Sequence, residues 1–172
     1  MTIYWIILII IAVYFLIVFV GLRLVVPFMG FTKPKLPEII PEEIKNKILE
    51  LESASTNQME YLQGAYAFIA FRWQAGRMNT VFYAPLAFRK NLLSIWNRSG
   101  YAHCNTQNYL LYVLLAGSKF FKPEDITFHC IFFNFFIHQY ITVKVADAWV
   151  AADPAGATIR NAPLGTHIKY FG

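Results

Sequence analysis

The apolar positions of this chain fall into three patterns. From Ile3 to Leu22 every residue except Gly21 is apolar and none is charged, so the run has no period at all. At about 1.5 Å per residue a helix of that length spans roughly 30 Å, the hydrocarbon thickness of a bilayer. The pattern therefore predicts a membrane-spanning helix within residues 1–26, with Tyr4 and Trp5 suited to one interface and Arg23 to the other. A secretory signal peptide wants a basic start, a shorter apolar stretch and a small-residue cleavage site. The run has none of these and reads as an anchor that is retained.

The second pattern has the period of a helix. Pro41 suits a first helical position, Glu42 and Glu43 favour the positive end of the dipole, and Ile44, Ile48 and Leu51 form one stripe. Tyr61/Leu62, Ala65/Tyr66 and Phe68/Ile69 repeat the spacing in a second helix that ends near Gly76. A third is opened by Pro85, carries Leu86, Leu92, Leu93 and Trp96, and stops at Gly100. A fourth runs from Cys104 to Gly117, with Leu111, Leu114 and Leu115 on the face of Cys104.

After Pro123 the third pattern begins. Ile126–Phe136 and Ile137–Val145 are rich in β-branched and aromatic residues, and Trp149–Asp153 is a shorter run of the same kind. Helices first and strands last predict an α+β domain with a small antiparallel sheet. The segment 27–41, with four prolines and two lysines, reads as an extended linker. The expected division is thus an anchor over 1–26, a linker over 27–41 and a domain over 42–172.

Composition sharpens that division. Hydrophobic residues make up 57% of the chain, and 23 of the first 26 residues are hydrophobic, which leaves about half in the remainder. A wholly soluble protein, a disordered one and a polytopic transporter are all excluded by this split. No Lys or Arg precedes the apolar run, whereas Arg23, Lys33 and Lys35 follow it, so the positive-inside rule favours a cytoplasmic domain. Between Glu60 and Glu124 there is no acidic residue, yet Arg72, Arg77, Arg89, Lys90, Arg98, Lys119 and Lys122 lie there. These read first as a solvated face. Held close to anionic lipid, each would contribute about 1 kcal/mol of attraction. No nucleic-acid-reading motif accompanies them, and no nucleic acid partner is expected.

Two cysteines exclude a disulfide scaffold and a zinc site built on four cysteines. Cys104 follows the break at Ser99-Gly100 and opens the apolar run Tyr109–Leu115, so its thiol sits in a first helical turn, where the dipole favours a thiolate. A base and an orienting carboxylate are available from the strands. If Ala146-Asp147 is a two-residue turn, Val145 pairs Ala148 and Tyr140 pairs Asp153, so His138, Tyr140 and Asp153 share one face. A three-residue turn would put His138 and Asp153 on opposite faces. Cys130 lies in an apolar strand and reads as core. His103 projects about 100° away from Cys104 and is poorly placed as its base. The adjacent pairs His103-Cys104 and His129-Cys130 lack the separation of zinc ligands, so no metal or cofactor is expected. His167 has no partner visible in the sequence.

Three pieces in order carry a resemblance: Gly100-x-x-x-Cys104 opening a helix that ends in Gly117, His138 heading the run to Val145, and Trp149 shortly before Asp153-Pro154. Over roughly residues 85–160 the chain resembles the transglutaminase-like superfamily, departing from it at Ala102, where a glycine is common. The resemblance implies a papain-like core, with a Cys-bearing helix packed on a small antiparallel sheet. It also implies Cys104 as nucleophile, His138 as general base and acid, and Asp153 as the group that fixes the imidazole. The reaction would be acyl transfer through a thioester on a protein or peptide: hydrolysis, transamidation or deamidation. An oxyanion would be held by the Cys104 N–H and by one of Trp96, Asn97 or Tyr101. Two other readings compete, a catalytically silent binding module tethered to the membrane and a leader that itself disrupts membranes.

Overall fold

The computed structural model describes residues 2–133 and 136–168. Helix α1 (Thr2–Leu16), a π-helical turn (Ile17–Gly21) and helix α2 (Leu22–Val25) follow one another without a break. Over Ile3–Val25 this helix is long and apolar enough to cross a bilayer, and most of its side chains are exposed. One stretch is not. Val18 is buried, and the rings of Phe15 and Phe19 each lie 5.6 Å from that of Phe132. Val18, Val26, Met29 and Ile137 form a small apolar cluster on which Cys104 and Cys130 also pack.

The segment 27–41 has no regular structure except bends, as its prolines dictate, but it is not a free spacer. Phe28 stacks on Tyr109 at 3.7 Å, and its carbonyl accepts a 2.8 Å hydrogen bond from Gln139 Nε2. Asn105 Nδ2 donates to the Pro27 carbonyl at 2.8 Å, and Lys33 Nζ to that of Pro123 at 2.6 Å. Phe28 has φ 63°, a left-handed conformation costing a bulky residue about 1–3 kcal/mol, so these contacts hold a strained bend. The expected linker is a docked strap.

Helix α3 (Glu42–Ser53) buries the expected stripe of Ile44, Ile48 and Leu51, with Pro41 at the cap and not at the first helical position. Asn57 caps α4 (Gln58–Arg72) by accepting the Glu60 N–H at 3.0 Å. α4 ends at Arg72, short of Gly76, because Trp73–Gln74 becomes strand β1 and pairs in parallel with β2 (Gly100–Tyr101). The predicted third helix is two pieces, a 3-10 turn (Ala84–Phe88) and α6 (Leu92–Trp96), and a short helix that was not expected, α5 (Arg77–Phe82), precedes them. Arg89 is extended, and the Asn91 side chain takes the Ser94 N–H at 2.8 Å, so the chain stops and restarts within the apolar pattern.

Helix α7 (Cys104–Ala116) runs through the centre and is buried from Asn105 to Leu115. From Tyr109 to Leu115 it is apolar on every side and belongs inside, and α3, α4, the sheet and α8 surround it. The antiparallel sheet has the order β3 (Ile126–Phe133), β4 (Phe136–Val145), β5 (Ala148–Ala152). Phe136 starts β4 and does not end β3, and residues 134–135 of the predicted first strand lie outside the described residues. Ile126, Ile141, Val143 and Ala152 are fully buried and belong to the same core as α7. Asp153 closes β5 and caps a helix the sequence pattern did not reveal, α8 (Pro154–Arg160). The architecture is mixed α+β, with an N-terminal apolar helix and a small antiparallel sheet.

The β4–β5 turn is Ala146-Asp147, with Val145 opposite Ala148 and Ala146 at φ 52°. An L-residue there is strained, and glycine is not. Ala146→Gly should raise the unfolding free energy by about 0.5–1 kcal/mol in a denaturant titration. A loss of stability would show that the turn is not held as described.

Candidate active site

Cys104 stands at the start of α7 because the chain reaches it extended from β2. The Ala102 N–H donates to the Gln74 carbonyl at 3.0 Å, and the Ala102 carbonyl accepts Gln107 Nε2 at 2.9 Å. Ala102 is not among the positive-φ residues, so this position does not require the glycine common in the resembled family. The bend falls instead at His103, whose extended backbone caps the helix.

His138 sits near the start of β4 and Asp153 just past the end of β5. The two-residue turn puts both on one face, and His138 Nε2 lies 2.8 Å from Asp153 Oδ2. Both groups are buried, Asp153 completely. Cys104 lines the same cavity as this ring, and its hydrogen bonding and charge help to raise the imidazole pKa. Asp153 engages Nε2, which leaves Nδ1 for sulfur. The three residues named from the sequence are therefore brought into one chain of contacts.

Asp153 is held by more than His138. Its Oδ1 accepts the Gly156 N–H at 2.8 Å in the first turn of α8, and Oδ2 also accepts the Ile168 N–H at 3.0 Å. Gly156 is there because nothing larger fits: a Cβ on it would lie 2.6 Å from Asp153 Cγ. The Tyr66 hydroxyl donates to the Ala162 carbonyl at 2.8 Å and lies 3.3 Å from that of Asp153. Asn108, one turn along α7 from Cys104, donates to the Gln139 carbonyl at 2.6 Å and ties β4 to the helix beside His138.

Burial on its own would depress the His138 pKa. The hydrogen bonds the ring makes to Asp153 and Cys104, and their charges, outweigh it and lift the imidazole to about 10. At neutral pH the ring is then an imidazolium, a donor at both nitrogens, with a carboxylate on one side and sulfur on the other. An imidazolium so placed can hand its proton to a group departing from the cavity beside it.

The remaining candidates are placed elsewhere. His103 Nε2 lies 2.9 Å from the Tyr83 carbonyl and its Nδ1 3.3 Å from the Tyr101 hydroxyl, and burial pushes its pKa down. Cys130 is a free thiol, like Cys104, and burial raises its pKa. His167 has a partner after all, since it stacks on Tyr140 at 4.1 Å, and Tyr140 stacks in turn on His129 at 4.9 Å. Of the three side chains considered for an oxyanion, Trp96 is packed against Phe68 and Trp73 and Asn97 is exposed. Only Tyr101 of these lines the cavity that contains Cys104 and His138. Among the described residues no cluster of three His, Cys, Asp or Glu could hold a metal ion.

That cavity has a volume of about 390 Å³ and lies against the end of the N-terminal helix. Leu22, Val26 and Met29 form one wall, and Val81, Phe88 and Ile137 others. In comparisons with protein-family models, curated proteins and solved structures, nothing matches this chain.

Gly156, Ile168 and Asn108 are not named from the sequence, and Tyr66 is read there only as part of a helix stripe. Asp153-Pro154 did carry a readable signal for one of these contacts, since an Asp before Pro is a helix N-cap with proline at the first position. The Ile168 contact comes from a tail with no pattern.

Two outcomes follow from this geometry. The His138 pKa is raised above its ordinary 6.5, so its contribution to stability is complete below pH 6.5 and disappears as pH rises through about 10. The stability difference between the native chain and His138→Gln should shrink over that window, and a difference flat in pH would contradict it. Gly156→Ala must displace the Asp153 carboxylate and should cost about 1–3 kcal/mol, read from the unfolding midpoint.

Proposed function

We propose that the chain is a membrane-anchored, transglutaminase-like cysteine enzyme that transfers acyl groups through a thioester. The observation that carries this reading is the contact chain Cys104–His138–Asp153 at the start of a buried helix. A Cys-bearing helix packed on an antiparallel sheet that supplies the His and Asp supports a papain-like core. The apolar helix before it supports the anchor, and the basic residues that follow favour a cytoplasmic domain.

In this reading the Cys104 thiolate attacks an acyl carbonyl in an amide or ester. Negative charge gathers on the carbonyl oxygen, where the Cys104 backbone N–H in the first helical turn and the Tyr101 hydroxyl, once it turns from Thr80, stabilise it. His138 passes its proton to the departing amine or alcohol, then takes one from the water or amine that resolves the thioester. Asp153 keeps the ring oriented and its charge balanced throughout.

Alkylation of the full chain in detergent micelles tests this directly. With iodoacetamide at pH 7, Cys104 should react at least about tenfold faster than Cys130, and His138→Gln should remove the advantage. Equal rates in the native chain would defeat the proposal. With an acyl substrate in hand, Cys104→Ala should abolish turnover. Asp153→Asn should lower kcat by up to about 10⁴-fold, and Tyr101→Phe by about 10²-fold.

A further inference from the structure

The cavity beside Cys104 says what kind of acyl group the site takes. Among the described residues its lining holds no Lys, Arg, Asp or Glu, and beyond Cys104 and His138 the wall is mostly aliphatic or aromatic. The polar side chains there are already occupied. Thr80 Oγ1 donates to the Gly76 carbonyl, Tyr101 to Thr80, and Asn105 to the Pro27 carbonyl, while His103 is bound to the Tyr83 carbonyl. Such a wall offers little to the regularly spaced amides of a peptide, which bind through main-chain hydrogen bonds. It suits an alkyl chain, and about 390 Å³ is within the usual range for small-ligand sites.

The position of the cavity points to the source of that chain. Leu22 and Val26, at the domain end of the apolar helix, are part of the wall. Phe136 and Ile137 line it from the start of β4, and Phe132, on the paired strand, touches Phe15 and Phe19. Phe15 is ten residues before Val25, or about 15 Å along the helix. This end of the sheet therefore lies beside the apolar helix at the depth of hydrocarbon. Around the same cavity Val81 and Phe88 are exposed, and Met78 and Phe82 beside them are more so. Exposed apolar groups gathered next to a bilayer-length helix mark a surface that meets lipid.

We infer that the acyl donor is a long-chain ester of a membrane lipid, whose alkyl chain enters this cavity from the bilayer. The inference rests on the acyl-transfer reading and replaces the expected peptide. Cys104 Sγ bonds to the ester carbonyl carbon as the carbon–oxygen bond to the alcohol breaks. The alcohol oxygen takes the proton of His138. The chain stays in the cavity as a Cys104 thioester until water attacks: oxygen bonds to carbon, sulfur leaves as thiolate, and His138 recovers a proton from the water. Fatty acid and alcohol are the products.

The test uses the full chain in dodecyl maltoside micelles with p-nitrophenyl acetate, octanoate and palmitate, reading the acyl adduct on Cys104 by peptide mass mapping. Burial of a methylene is worth at most about fourfold in rate, so acylation should rise at least about 100-fold from acetyl to palmitoyl. Ala84 and Ala87 both line the cavity, and Ala84→Trp and Ala87→Phe, two independent ways of filling it, should each lower the palmitoyl-to-acetyl ratio at least about tenfold. A ratio that stays high in both folded variants would mean that micellar partitioning drives the preference, and the cavity assignment would fall. Acetyl reacting as well as palmitoyl would overturn the lipid inference and leave acyl transfer standing. No adduct on Cys104 at any length would overturn both.

Discussion

A carboxylate cut off from water must have its oxygens satisfied, because an unpaired charge in an apolar interior costs several kcal/mol. Asp153 meets that constraint with three donors drawn from three parts of the chain: His138 on β4, Gly156 in the first turn of α8, and Ile168 in the tail. The β4–β5 register, the start of α8 and the path of the tail are all set by where this one group sits. The imidazolium of His138 balances its charge, which makes the buried pair tolerable and fixes which ring nitrogen faces sulfur. Removing any donor leaves the carboxylate short of a bond in a place water does not reach.

Much of this was legible because strand alternation is strict. Given a turn of Ala146 and Asp147, period-two geometry alone puts His138 and Asp153 on the same face, and the structure has that turn. The apolar run from Tyr109 to Leu115 likewise announces a buried helix, and Gly117 its end. What failed was local polar chemistry acting against apolar pattern. Asn91 and the extended Arg89 break a run that hydrophobic spacing joins, and Asn57 and Asp153 set helix starts through single side-chain bonds. Asn105, Thr106, Gln107 and Asn108 are all buried in the first turns of α7, although their types belong on surfaces. Their burial follows from the crossing of strap, helix and strand over them, which spans distant parts of the chain.

The docking of the leader was illegible for a different reason. Lipid tails and protein cores are equally apolar, so a uniformly hydrophobic helix reads the same whichever one it faces. Nothing in the run Ile3–Leu22 distinguishes Val18, which packs on the domain, from its exposed neighbours Ile17 and Val20. The π-helical turn at Ile17–Gly21 marks the contact, and extra residues of this kind in a helix are often found at functional sites. The strained Phe28 then turns the chain into the strap, so the apolar helix and the domain meet at a held angle.

Val18, Leu22 and Val26 are spaced four residues apart and lie on one stripe of the leader, facing the domain. Away from that stripe and from Phe15 and Phe19, which meet Phe132, the exposed side of the helix can exchange one apolar residue for another. The stripe cannot, because it is shaped against Ile137 and Met29 and closes one side of the cavity. Among sequences descended from a common ancestor with this one, the leader should therefore drift unevenly: fast on its exposed side, slow along the stripe, and in step with substitutions at the start of β4.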